Sequence, residues 1–356
     1  MGSITASVKR YEVWLEEQLG RQLVQADLDR KNRKMEESDF LFLRATCFRW
    51  TETAHELCPG LMDAPRVVAV GDAHIGNFGL WRDADGRLVW GVNDFDEAAE
   101  TPYALDLVRL AASAVLARGR DRSVSTDEIC AAILGGYVEG LRAPAAFVLE
   151  RRHLWLRDLV LASDEERERF WSALEQLPRA SPPRGYRDVL AASMPDSDLV
   201  VATAQRVAGL GSLGRPRWVG IADWHGGPVA REAKPLLPSA WSLVQGGDRK
   251  MRFAEIAFGK FRIADPWLKP RKGILVRRLA PNSRKLDFPA LADPGLTRRL
   301  LTAMGAELAN LHSARRSRAR AVAEDLEARK PAWLRDAAGK VAEATRQDRI
   351  AWRGRR

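Results

Sequence analysis

Three cysteines stand in 356 residues, Cys47, Cys58 and Cys130, and no two of them form a C-x-x-C pair. An odd, scattered set argues against a disulfide-framed scaffold and against a cysteine-built zinc site, and it suits a reducing cytoplasm. Histidines number five, too few for a phosphohydrolase whose metals rest on several imidazoles. Long apolar runs are missing as well: none approaches the stretch of about 18 residues that a membrane-spanning helix needs. The opening Met1-Gly2-Ser3-Ile4-Thr5-Ala6 has no apolar signal core, and Ala6 breaks the myristoylation pattern. No internal repeat is visible. A cytoplasmic protein with no membrane contact is expected.

What is present is an ordinary globular composition, 46% apolar and 29% charged, in a chain long enough for two lobes. The net charge of +10 is unevenly spread: residues 315–356 hold thirteen Lys/Arg against six Asp/Glu. This reads first as a solvated helical face and tail. Contact with nucleic acid or an acidic partner is the second reading, since basic patches alone give salt-sensitive, non-specific binding.

Helical spacing dominates residues 7–58. A short β run, Val67-Val68-Ala69-Val70, then leads into Gly71-Asp72-Ala73-His74-Ile75-Gly76-Asn77. Residues 78–81 and 88–92 flank the turn Asp83-Ala84-Asp85-Gly86 and predict a hairpin that ends in Asn93-Asp94-Phe95-Asp96. Helices are expected over 105–113, around 129–141 and over 151–177, followed by a linker over 178–195. A strand-rich block comes next, over 204–207, 217–222 and 229–234. Then follow a helix over 251–262, a strand over 274–279 and a helix over 296–313. The chain divides into an N-terminal helical segment (1–66), a part with the acidic motifs (67–195), a β-rich part (196–290) and closing helices with the basic tail (291–356).

Period-two alternation puts Asp94 and Asp96 on one strand face, and the hairpin brings them toward the turn holding Asp72 and Asn77. Phosphoryl transfer needs such a set: one carboxylate to take or orient a hydroxyl proton, and an amide oxygen with further carboxylates to hold magnesium against phosphates. Asp72 is the candidate base. Asn77 and Asp94 are candidate metal ligands, and Asp96 is either a third ligand or a carboxylate behind them. An Asp in a G-D turn more often just bonds its own backbone, so the weight rests on the combination.

The second motif is G-x-G-x-x-G, made of Gly209, Gly211 and Gly214 with Ser212 between them. A dinucleotide fingerprint would begin a helix at the last glycine. Here Arg215-Pro216-Arg217-Trp218-Val219 reads as a strand, so the loop sits between strands, as in loops whose amides cover nucleotide phosphates. The next strand offers Arg231 and Lys234 as the phosphate-anchoring cation. Three residues apart, they cannot share a strand face, and spacing alone does not choose between them. Glu255, on the following helix, is the candidate ion-pair partner.

These motifs resemble those of the protein-kinase-like fold, above all its aminoglycoside and choline phosphotransferase branch, with H-G-D-x-x-x-x-N, a hairpin, then I-D-F/W. The resemblance implies that Asp72 is the catalytic-loop aspartate, Asn77 and Asp94 the magnesium ligands, and Asp106 the buried brace of that loop. His74 resembles the second histidine of the branch's H-G-D-x-H form, which implies a loop-bracing residue first and a substrate-contacting one as the second reading. Val70 departs from the pattern's histidine. The order is inverted, with acidic motifs first and glycine loop second. Residues 306–312, Ala-Glu-Leu-Ala-Asn-Leu-His, resemble the helix that precedes the catalytic loop in such kinases; joined to Val67, they restore the usual order. The implied fold is α+β, two-lobed and circularly permuted. The segments 33–44, 71–79, 93–97, 206–214, 231–233 and 275–278 further resemble a bacterial domain-of-unknown-function family, number 2252, over roughly residues 30–320. That family's usual Lys-Glu-Ala reads Arg231-Glu232-Ala233 here. The expected activity is an ATP- and Mg2+-dependent phosphotransferase acting on a small-molecule hydroxyl. The alternatives are adenylyl transfer to protein and a nucleotide-binding pseudokinase.

Overall fold

The computed structural model describes residues 2–119, 123–246, 250–283 and 293–355. It is a mixed α+β chain with small sheets. The chain opens with four helices, α1 (Ile4–Leu19), α2 (Gln25–Lys34), α3 (Asp39–Ala45) and α4 (Cys47–Leu57). Ser3 and Ser38 start α1 and α3 by accepting the N–H groups of Ala6 and Leu41, satisfying otherwise orphaned donors. The buried stripe of α1, which includes Ile4, Val8, Tyr11 and Leu15, shares one core with Leu210, Leu213 and Trp352. The four helices therefore roof the glycine loop and do not stand apart from it.

Strand β1 (Arg66–Ala69) pairs antiparallel with β4 (Ala99–Pro102). Between them runs the expected hairpin of β2 (Phe78–Arg82) and β3 (Leu88–Val92), its turn held by Asp83 accepting from the N–H groups of Asp85 and Arg87. The long helices α5 (Tyr103–Ala117) and α6 (Thr126–Arg142) follow, then the short strand β5 (Phe147–Val148). The helix expected over 151–177 is broken into α7 (Leu154–Val160) and α8 (Asp164–Glu175). The break has a local cause: Ser163 and Glu166 form a capping box, which starts a new helix. The stretch expected to be a linker contains α9 (Arg184–Ala191), whose Tyr186, Val189 and Leu190 pack on Ala233 and Val276 of the next sheet.

That sheet has five antiparallel strands in the order β6-β7-β8-β10-β9: β6 (Ala202–Gln205), β7 (Trp218–Trp224), β8 (Gly227–Pro235), β9 (Lys269–Arg271) and β10 (Ile274–Leu279). Between β8 and β9 the described residues form two short helices, α10 (Ala240–Val244) and α11 (Phe253–Ala257), so the helix expected over 251–262 is mostly irregular. The chain closes with α12 (Pro294–His312), α13 (Arg316–Ala328) and α14 (Trp333–Arg353). The boundary placed between residues 290 and 291 lies outside the described residues, as does Arg356.

The basic closing segment is no loose tail. Leu334, Ala338, Val341 and Ala342 of α14 are buried in the main core with α5, α6 and α12. Two of its arginines are tied inward, Arg349 to Asp39 at 2.5 Å and Arg355 to Glu36 at 3.2 Å. No described helix is long and apolar enough to cross a membrane.

Candidate functional site

The turn that follows β1 is built to hold one side chain out. Gly71 takes φ +76°, and a Cβ there would strike the carbonyl oxygen of Glu97, so only glycine fits. The turn is braced from α5: Asp106, fully buried, accepts from the backbone N–H groups of Val70 at 2.7 Å and Gly71 at 3.0 Å. Its Oδ2 also meets His312 Nε2, at the end of α12, at 3.1 Å. The bracing expected of Asp106 is thus present. One turn further along α5, buried Arg109 reaches Asp72 Oδ1 through Nε at 2.7 Å and Nη2 at 2.5 Å, and also donates to the carbonyl of Leu43. His74 Nε2 lies 3.8 Å from Asp72 Oδ2.

Asn77 stitches the two acidic motifs together. Its amide nitrogen donates to the carbonyls of Asp94 at 2.9 Å and Asp72 at 3.3 Å, and its amide oxygen is the atom a hard cation would take. Asp94 and Asp96 emerge beyond β3 and both meet Lys234 Nζ, at 3.2 and 2.6 Å. Arg215, directly after the glycine loop, stands 3.5 Å from Asp96 and 3.3 Å from Glu97. Burial by itself would lower the pKa of this guanidinium, but Tyr11, Glu97 and Asp96 carry it upward. Burial pushes the Glu97 carboxyl up, against the pull of Arg215.

Strand register separates the two cations. Lys234, opposite Leu275, faces the acidic pair, whereas Arg231, opposite Arg278, lies on the other face of β8. There Arg231 stacks 4.1 Å over Trp267 and donates to the carbonyl of Ser193. It does not reach the acidic motifs. Glu255 is also placed elsewhere: it pairs with Arg252 at 2.9 Å and Lys250 at 3.2 Å, because α11 is too short and too displaced to bring it to Lys234.

The glycine loop closes over this group. Gly209 takes φ +76°, and a Cβ on it would meet Arg217 Nη2 at 2.8 Å. Gly211 is so near the opposite turn that its Cβ position lies 3.8 Å from Asp72 Oδ2. Asp72, Asn77, Asp94 and Asp96 therefore line one cavity with Gly209, Gly211 and Ser212, although more than a hundred residues separate the motifs. Gly214 lies outside the lining; its carbonyl accepts from Val24 N–H, which anchors the loop to the start of α2.

Sequence reasoning missed part of the lining. Tyr11, Lys31, Arg44 and Phe48 from the roofing helices complete the wall. Lys31 Nζ sits 3.4 Å from the Gly211 carbonyl and 4.4 Å over the Tyr11 ring, and burial lowers its pKa to about 8. The cavity itself is about 50 Å³, room for one or two waters. A nucleotide would enter only after loop and roof part.

Among the described residues, no three or more His, Cys, Asp or Glu side chains are placed to hold a metal. Magnesium needs less, one or two carboxylates with water and phosphate oxygens completing its shell. Asp96 Oδ1 fits that role, being buried with no hydrogen-bond partner, which is costly for a carboxylate oxygen unless a cation meets it.

Residues 22–166 match the model of a family described as an uncharacterized protein conserved in bacteria (DUF2252). The matched stretch runs from just before α2 into α8, so it holds Lys31, Asp72, Asn77, Asp94, Asp96, Asp106 and Arg109. The glycine loop and Lys234 lie beyond it. No curated protein and no solved structure matches the chain.

Proposed function

We propose that this chain is a magnesium- and ATP-dependent transferase that moves a phosphorus-containing group onto a hydroxyl held at Asp72. The observation that carries the reading is the single cavity lined by Asp72, Asn77, Asp94 and Asp96 on one side and Gly209–Ser212 on the other. Two motifs far apart in sequence have no structural need to meet. Lys234, on the third strand of the five-stranded sheet, meets Asp94 and Asp96 at this cavity, which supports a phosphate-pairing role like that of a kinase's strand lysine.

In this scheme Asp72, positioned by Arg109, orients the acceptor hydroxyl and takes its proton. Asn77, Asp94 and Asp96 would hold magnesium, which when bound supplies charge neutralisation for the phosphates. Lys234 then exchanges its two carboxylates for phosphate oxygens, and the amides of the glycine loop cover them. The permuted two-lobed architecture belongs to the same proposal. It is supported by His312, at the end of α12, lying against Asp106, which holds Val70 and Gly71. A helix that ended there could lead straight into β1.

Phosphoryl transfer to a small-molecule hydroxyl follows most simply from the resemblance to aminoglycoside and choline phosphotransferases. Adenylyl transfer uses the same residues with ATP reversed, and the cation-rich floor of the sheet beside Lys234 favours it. Calorimetric titration with Mg-ATP tests the shared core. Asp94→Ala should abolish magnesium-dependent binding, and Asp72→Asn should keep binding but lose turnover by roughly 10²–10⁴-fold. Unchanged Mg-ATP binding in Asp94→Ala would remove the metal role.

A further inference from the structure

Glu232 stands two residues before Lys234 on β8, so both side chains leave the same face of the sheet. It is sealed from solvent, and three guanidinium groups close on it: Arg206 at 2.6 Å, Arg217 at 2.6 Å and Arg277 at 2.7 Å. One carboxylate takes the direct ion pairs of three arginines, so the cluster itself carries an excess of two positive charges. A hydrophobic sheet floor would have served stability better, since burying unmatched charge is expensive.

The cluster also borders the cleft. Arg217 Nη2 donates to Ser212 Oγ at 2.5 Å, inside the glycine loop. Arg277, paired across the strands with Glu232, is near enough to feel Asp94 and Asp96, after the larger influences of burial and Glu232. Arg206 and Arg277 keep 26% and 22% of their side chains open to solvent, while Arg217 and Glu232 are closed. The arrangement is a fixed set of N–H forks, aimed by a buried carboxylate and reachable from outside.

We infer that this Glu232-centred arginine cluster seats the terminal phosphates of a nucleoside triphosphate, so that the α-phosphate, not the γ-phosphate, lies nearest Asp72. This rests on the nucleotide reading given above and selects its polarity. A purine ring wants an apolar slot, and on this face, about 7 Å along the strand from Lys234, it would meet a carboxylate and three arginines. A polyphosphate tail is what guanidinium forks match, oxygen by oxygen. The chemistry that follows is adenylyl transfer. The acceptor oxygen forms a bond to the α-phosphorus, the bond from that phosphorus to the bridging oxygen of the β-phosphate breaks, pyrophosphate departs with the electron pair, and the hydroxyl proton passes to Asp72.

The test is calorimetric titration of the full chain, in magnesium, with inorganic tripolyphosphate, ATP and AMP. The variants are Arg277→Gln and the more exposed Arg206→Gln, each of which leaves Glu232 two guanidinium partners; thermal unfolding confirms that each is folded. Each variant is expected to lose roughly tenfold or more in affinity for tripolyphosphate and ATP, with AMP affinity unchanged, so that the preference for ATP over AMP collapses. Equal weakening of ATP and AMP would overturn the polarity, because the cluster would then serve the α-phosphate. Unchanged ATP and tripolyphosphate affinity would overturn the site. Wild-type protein that takes tripolyphosphate but no nucleotide would instead sink the nucleotide reading, and the polarity with it.

Discussion

Asp106→Asn changes one atom and should cost more than most core truncations of similar size. The carboxylate serves three partners, two of them buried: Oδ2 accepts from Val70 N–H at 2.7 Å and meets His312 Nε2 at 3.1 Å, while Oδ1 accepts from half-buried Gly71 N–H at 3.0 Å. An asparagine has one oxygen. Whichever way its amide turns, an NH2 group faces a backbone N–H, that of buried Val70 or of half-buried Gly71. Hydrogen bonds to charged groups are worth about 1.5–3 kcal/mol each, and a stranded buried donor costs about 1–3 kcal/mol. One bond lost and one donor stranded give about 2.5–6 kcal/mol. Urea unfolding should show this as a lower midpoint at unchanged slope. Nucleotide turnover under folding conditions should also fall, because the same N–H groups fix the backbone just ahead of Asp72. A variant within about 0.5 kcal/mol of wild type, the range of an ordinary surface substitution, with full turnover, would refute the argument that this carboxylate organises the turn.

Three further outcomes are expected. Lys234→Met should weaken Mg-ATP binding by roughly tenfold or more in calorimetry, whereas Arg231→Met, on the opposite face, should leave it unchanged. Glu307, buried under β3, has its carboxyl raised from 4.5 to about 7 by burial, which Arg262, Asn310 and the N–H of Val92 only partly offset. Its folded pKa lies above the unfolded one, so the native state holds the extra proton between those values and stability falls as pH rises through that window. The drop is worth up to about 3 kcal/mol, and Glu307→Gln should flatten it in urea titrations between pH 5 and 7. Lys31, lowered by burial from 10.5 to about 8, works the other way. Stability rises with pH above about 8 as the unfolded state alone keeps the proton. Anion affinity measured across the same range should fall as the charge is lost, and Lys31→Met should abolish both trends.

The acidic turn, the hairpin and the glycine loop were legible because each is local. Glycine at a positive φ, two-residue alternation and a strand after Gly214 all show within about ten positions. The α+β class followed from them. What stayed hidden depends on long-range packing. Nothing in the N-terminal helical spacing says that Tyr11 and Lys31 roof a loop some 180 residues away. Arg231 and Lys234 could not be told apart until β8 was paired with β10. Glu255 looked like a partner only while α11 was expected to be long. Arg109 did leave a signal: it follows Asp106 by three on one helix, so two buried charged residues share a face, which a helix rarely tolerates unless both have work to do. Ser163 and Glu166 left another, the spacing of a capping box inside a supposed single helix.

The roof over the glycine loop has a consequence for how the protein comes into being. Helices α2 and α4 are held by partners that the ribosome delivers much later: Arg49 by Asp348 at 2.8 Å, and the carbonyl of Asn32 by the Trp352 indole at 3.2 Å. These contacts span about 300 residues, and contacts of such separation form late, because loop-closure entropy must be met first. During synthesis the roof emerges with neither the glycine loop beneath it nor the final helix behind it. The cleft is then completed only once α14 has formed behind its roof. A nascent chain stalled short of α14 would display the acidic motifs without a closed site, so loss of the last helix should impair the cleft although no residue lining it has changed.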